Sequence, residues 1–189
     1  MADATGTKAH QPPARPSDEA DRNQLDMAKA EGEKYLASLD YMATKVADAG
    51  GKTRAGDYIV AFAQERAEGM YHLKGGALEW VEAPETMNCH MEIAVADAAD
   101  GRFVPYLDID CVLSKDGRDV VSFKPEFLWH PGLYHYGKDL TLPDGDGTYD
   151  LSIRIAAPAF PRHDEDNGRR YGEAVEVAFT GIKVETGHE

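Results

Sequence analysis

"YLDIDCVLSKDGRDVVSF" (residues 106–123) decides the fold class. Leu107, Ile109, Cys111 and Leu113 alternate with polar neighbours, and Asp108 and Asp110 take the opposite side. Successive side chains of an extended chain point to opposite faces, so this pattern predicts a strand with one buried face. "KDGR" at 115–118 follows, and Asp-Gly tolerates the positive φ of a tight hairpin turn. "DVVSF" then returns as the second strand.

The same period of two extends in both directions. "DYIVAFAQE" (57–65), "GMYHLKGG" (69–76) and "ALEWVEA" (77–83) read as short strands with Gly-rich breaks. "MNCHMEIAVADAADG" (87–101) sets Met91, Ile93 and Val95 on one face, with His90 and Glu92 on the other. "TYDLSIRIAAP" (148–158) turns Tyr149, Leu151, Ile153 and Ile155 inward, and "EAVEVAFTGIKV" (173–184) does so with Val175, Val177 and Phe179. "LPDGDG" (142–147) is a turn. Many short strands with no helical run between them argue an antiparallel β-sandwich over residues 57–189.

The N-terminal third differs. Residues 1–17 are polar and Pro-rich and read as a disordered arm. Residues 18–51 read as a helical extension: Ser17 offers a cap, and Leu25, Ala28, Tyr35, Leu36, Leu39, Met42, Ala43 and Val46 recur at helical spacing. Gly32 weakens its middle, and Gly50-Gly51 ends it. The stripe is narrow, which suits a surface helix or one paired with a partner.

Composition narrows the function. The 189 residues carry a formal net charge of −14. Binding nucleic acid or an anionic membrane needs clustered Lys and Arg, so neither is an expected partner. No apolar run is long enough to span a bilayer. No apolar h-region follows Met1, which leaves open a cytoplasmic location or one reached after loss of an export signal. Cys89 and Cys111 form no CxxC pair, so a thiolate zinc site is not expected, and two buried free thiols are the simplest reading. Nucleophile-elbow, P-loop and Rossmann motifs are absent.

The histidines carry the chemistry. His90 and Glu92 sit two apart on a strand, on one face and about 7 Å apart at the backbone. Imidazole and carboxylate together suit borderline and hard divalent cations. His130 and His135 flank Pro131-Gly132 in a loop crowded with Phe127, Trp129, Tyr134 and Tyr136, and His163 follows a strand in "PRHDEDNG". These positions fall at strand ends and loops that a sandwich can bring to one rim; the aromatic loop reads either as the lid of a metal site or as an aromatic mini-core packed under a long loop. His10, His72 and His188 are read as solvated or structural.

"HME" (90–92), "FVPYLDID" (103–110), "HYG" (135–137), "GTYDLSIRIAAP" (147–158) and "RHD" (162–164) together resemble the iron-transport family of bacterial periplasmic metal-binding proteins. The blocks occur in the family's order. The resemblance implies an immunoglobulin-like β-sandwich, a homodimer with metal sites near the subunit interface, and a periplasmic location. It also implies a non-enzymatic role in ferrous iron uptake beside an inner-membrane iron permease. Its cargo would be Fe2+ and/or Cu2+, with Zn2+ binding possible in vitro. By motif, His90, Glu92, His135 and His163 match the family's metal-site positions.

Three departures stand out. The loop from Phe123 to His135 holds no methionine where the family has one, and His130 is the nearest replacement. Phe103 replaces the family's Trp, and the N-terminal helix has no family counterpart. The competing reading is a non-metal interaction module, binding carbohydrate or protein by stacking on Trp129, Tyr134 and Tyr136. A blue-copper centre is disfavoured, because the two cysteines face away from the histidines.

Overall fold

The computed structural model describes residues 10–189. Helix α1 (Arg22–Tyr41) continues into a π-helical turn (Met42–Val46). Eleven strands follow: β1 (Ala49–Ala55), β2 (Tyr58–Glu65), β3 (Met70–Lys74), β4 (Ala77–Val81), β5 (Cys89–Asp97), β6 (Ile109–Lys115), β7 (Arg118–Phe123), β8 (Glu126–Leu128), β9 (His135–Leu140), β10 (Gly147–Ile155) and β11 (Val175–Val184).

The strands form two antiparallel layers, ordered β1-β2-β5-β9-β8 and β11-β10-β6-β7. Between them lies one core, built from the alternating apolar positions: Met91, Ile93 and Val95 from β5 meet Ile109, Cys111 and Leu113 from β6 and Leu151, Ile153 and Ile155 from β10. This is a β-sandwich. Its deciding hairpin turns at Asp116 and Gly117, both at positive φ (53° and 74°), as the Asp-Gly pair predicts. Both cysteines are free and buried, and burial pushes each thiol up to about 12.

β3 and β4 stand apart as a two-stranded hairpin. Tyr71 pairs with Trp80 and Leu73 with Leu78, so four large apolar side chains share one exposed face.

The helical segment differs from its sequence reading in three ways. Its cap is Asp21, not Ser17: the Asp21 carboxylate accepts from the Gln24 N–H while the Gln24 side chain accepts from the Asp21 N–H. Ser17 is engaged elsewhere, donating its hydroxyl to Asp164. The helical turns stop at Val46, and Gly50-Gly51 belongs to β1, so the boundary at 51 falls inside a strand. Gly32 is no weak point. It is buried where a Cβ would lie 1.9 Å from the Asp100 carbonyl oxygen, so glycine lets α1 lie directly on the loop after β5.

The arm differs too. Residues 1–9 of the expected disordered segment lie outside the described residues. From residue 10 onward the chain is tied down: Arg15 donates to Asn167 Oδ1 (2.9 Å) and to Asp166 Oδ1 (2.7 Å), and the Gln11 N–H donates to Asp57. Opposite charge on the loop after β10 fixes a segment whose composition alone reads as unstructured.

Candidate metal centre

The inner face of the five-stranded sheet faces the core; its outer face carries the site. The register pairs Glu65 with His90, Ala63 with Glu92 and Ala61 with Ala94 across β2 and β5. On the other side of β5, Glu92 pairs with Gly137 and His90 with Asp139. With a period of two, His90 and Glu92 of β5 therefore share the outer face with His135, Gly137 and Asp139 of β9. The expected rim of strand ends is thus corrected: three of the candidate ligands are strand residues on a sheet face. They are buried because α1 and its π turn lie across that face, with Leu39, Met42 and Ala43 packing on Ala61, Ala63, Ala94 and Leu133.

One ligand atom each from His90, Glu92 and His135 lies within 4.8 Å of the other two. His135 Nε2 is 3.1 Å from Glu92 Oε1, and His90 Nε2 is 4.0 Å from the same oxygen. The second nitrogen of each ring is tied back. His90 Nδ1 lies 2.9 Å from Asp139 Oδ1, and His135 Nδ1 lies 3.1 Å from the Leu133 carbonyl. A carboxylate or carbonyl oxygen can only accept, so both Nδ1 atoms carry their protons. In the neutral rings, Nε2 then offers its lone pair toward Glu92. Orientation of a ligating imidazole by a carboxylate or carbonyl behind it is the standard support of a metal site.

Two further features fit a cation. His90 is fully buried, and its Nε2 has no hydrogen-bond partner. A buried polar atom without a partner costs free energy unless something binds it. Opposite Glu92 stands Gly137, where a Cβ would come within 2.9 Å of His90 Nε2, so only glycine leaves that nitrogen room.

Electrostatics agree with the geometry. Burial, reinforced by the Glu65 charge, raises the Glu92 carboxyl to about 7. Burial lowers His135 to about 4, leaving a neutral ring ready to bind metal. For His90 burial works downward, but the Asp139 hydrogen bond and the Glu68 and Glu92 charges outweigh it and raise the ring above its usual range. A cation would relieve the crowded carboxylates and replace the protons they hold.

The remaining expected ligands lie apart from this triad. His130 is exposed; its ring centroid is 6.0 Å from that of His135, and its Nδ1 accepts from the Gly132 N–H of its own turn. It nevertheless lines the same cavity as Glu92 and His135. His163 does not join the cluster: its side chain is 90 % exposed, and its Nδ1 lies 3.0 Å from Glu19 Oε2.

The aromatic loop gathers around Phe103 more than around the metal site. Tyr35, Phe127, Tyr134 and Tyr136 all place their rings within 6.3 Å of that ring's centroid. Tyr136 is buried and donates its hydroxyl to the Val104 carbonyl, so it is no stacking platform for a ligand. The loop's contribution to the site is His135 and the Leu133 carbonyl, held in place by the Tyr35 hydroxyl on the Tyr134 carbonyl (2.6 Å).

Sequence reasoning missed Asp139 and Glu68. Asp139 was within reach, since His135, Gly137 and Asp139 lie two apart on one strand. Glu68, whose Oε1 is 3.6 Å from His90 Nε2, comes from the loop after β2, and no local pattern marks it.

Comparison with known proteins accords with this arrangement. The family profile described as Fe2+ transport protein matches residues 66–181, more than half of the chain. A search of curated sequences returns no match. Among solved structures, copper-reconstituted P19 from Campylobacter jejuni aligns with a TM-score of 0.61 at 21 % identity, covering 74 % of this chain and 96 % of that one. FetP from uropathogenic E. coli aligns with a TM-score of 0.58 at 20 % identity, covering 71 % and 93 %. At these identities the likeness establishes the shared fold.

Proposed function

From the premise that this chain belongs to the Fe2+ transport protein family, we propose that it is an extracytoplasmic carrier that binds Fe2+ or Cu2+ at His90, Glu92 and His135. Iron is its cargo and passes to an inner-membrane permease, and no chemical turnover is involved. The observation that carries this reading is the buried, unpartnered His90 Nε2, aimed with a second imidazole at one carboxylate. Two imidazoles and a carboxylate suit Fe2+, Cu2+ and Zn2+, so Zn2+ would bind in vitro as well.

His130 lines the cavity from the loop side and would join the site by turning its ring away from Gly132. His163 serves the site of a second copy in a homodimer. With its Nδ1 held at Glu19 and its ring exposed, it can offer Nε2 outward. The uncovered apolar face of the β3–β4 hairpin supports such a dimer, because an isolated two-stranded hairpin is marginal in water.

The test is anaerobic titration of the purified protein with Fe2+, and separately with Cu2+ and Zn2+, beside a His90→Ala/His135→Ala variant. One tightly bound ion per chain, lost in the variant, is expected. No binding, or binding unchanged in the variant, would overturn the reading. Sedimentation analysis of the same samples checks the dimer, and His163→Ala should weaken binding only where a dimer forms.

A further inference from the structure

We infer that Met42, from the N-terminal helical segment, supplies a thioether to the metal centre and gives it affinity for Cu(I). The inference rests on the reading of His90, Glu92 and His135 as that centre.

The centre opens into a cavity of about 420 Å³ between the helical segment and the loop before β9. Glu92, His130 and His135 line it from the sheet and loop side, and Met42 lines it from the helix side. Among the described residues, Met42 is the only sulfur-bearing side chain lining this cavity. The other sulfur nearby in sequence, Met91, lies in the sandwich core on the opposite face of β5, as does Cys89.

The register explains how Met42 comes to line this cavity. It packs in one cluster with Ala63 and Ala94. Ala63 is the cross-strand partner of Glu92, and Ala94 is the next residue along the same face of β5. Alanines flanking Glu92 leave a shallow floor, over which a long side chain from the helix lines the same cavity as the carboxylate. Larger residues there would hold the helix off.

The backbone also changes character at this point. Met42 opens the π-helical turn, and its carbonyl accepts from the Ala47 N–H, five residues on. Such turns re-aim the side chains that follow them, and they occur often at functional sites. Here the turn seats Met42 and Ala43 on the sheet while Tyr41 and Val46 remain exposed at the cavity mouth.

The chemistry completes the argument. His90, Glu92 and His135 provide two nitrogens and one oxygen, and no soft donor. A thioether is a soft ligand and selects Cu(I) over harder ions. Methionine is also flexible enough to swing between packing on alanines and reaching a metal. A site with both donor types would hold Fe2+ or Cu2+ through its hard set and Cu(I) through the added sulfur.

The test compares wild type, Met42→Leu and His90→Ala/His135→Ala. Leucine preserves volume and removes only the sulfur. Affinities for Cu(I) and Zn2+ are measured by competition with coloured chelators. Met42→Leu should lower Cu(I) affinity by about tenfold or more while Zn2+ affinity stays within about twofold. X-ray absorption of the selenomethionine protein loaded with Cu(I) provides a second readout on an intact fold. A copper–selenium shell should be present, and should vanish in the Met42→Leu protein prepared the same way. An unchanged Cu(I) affinity in Met42→Leu, or a copper shell of nitrogen and oxygen alone, overturns the role of Met42. Retained binding in the double-histidine variant would instead overturn the underlying centre.

Discussion

β5 has two faces, both fully buried along its length, and they are built on opposite rules. Its inner face, with Cys89, Met91, Ile93 and Val95, packs in the apolar core of the sandwich. Its outer face holds His90, Glu92 and Ala94 under the helical segment. The first face gains stability from removing apolar surface from water. The second buries two ionisable groups and leaves one ring nitrogen without a partner. Burial costs a polar group free energy unless it finds a partner, so the outer face holds unmet binding capacity at a nitrogen able to ligate a metal. The difference teaches that burial along a strand does not by itself mark core; what matters is whether the buried polar atoms are satisfied by the protein.

The sharpest way to break the comparison is to cut one residue from each face. His90→Ala should abolish binding, a loss of about a hundredfold or more in affinity, since its partner shell alone is worth 10–100-fold. Ile93→Ala should destabilise the fold by about 2–5 kcal/mol through a core cavity, with metal affinity kept in the folded fraction. Calorimetric titration and denaturant melts separate the two outcomes. If His90→Ala unfolds the protein while Ile93→Ala does not, the assignment of the faces is reversed.

The second test leaves the ligands intact. Asp139→Asn keeps size and hydrogen bonding but removes the charge behind His90, and should lower metal affinity by about 10–100-fold. A third test is pH. Glu92 sits at about 7, so it takes up a proton as pH falls from 8 to 6 and that proton competes with the metal; His90, raised above its usual range, competes in the same direction. Affinity should therefore fall with falling pH, by up to about tenfold per pH unit for each proton displaced. His135, at about 4, stays neutral throughout that window and adds no slope. A flat profile between pH 6 and 8 would show that Glu92 and His90 are not bound through the atoms that titrate. The smallest effect belongs to the loop: Tyr35→Phe removes the bond to the Tyr134 carbonyl, should cost about 1 kcal/mol, and should loosen the loop before His135. Faster hydrogen exchange in that loop, with the sheet unaffected, is the expected signature.

Much of this was legible in the chain itself. The alternation in "YLDIDCVL" and "MNCHMEIAVADAADG" assigned the inner face, and the same alternation placed His90 and Glu92 together on the other. His135 was named from its motif. The aromatic loop is less legible, because ring-rich segments look alike whether they pack on Phe103 or line a ligand. Ser17 and Gly50-Gly51 misled for a related reason: capping residues and glycines have several uses, and Gly32 owes its role to a loop about seventy residues away in sequence.

The sequence by itself determined which residues face the core, where the hairpins turn, and which pair of strand residues could begin a metal site. Those follow from side-chain period and turn chemistry, which act between near neighbours. Only the tertiary structure decided that the other face of the sheet would be buried too. It also decided that Asp139 would stand behind His90, that Gly137 would leave its ring room, and that Met42 would line the same cavity as Glu92. Each of these depends on which strand pairs with which and on what covers the sheet, and such contacts between distant segments leave no periodic trace along the chain.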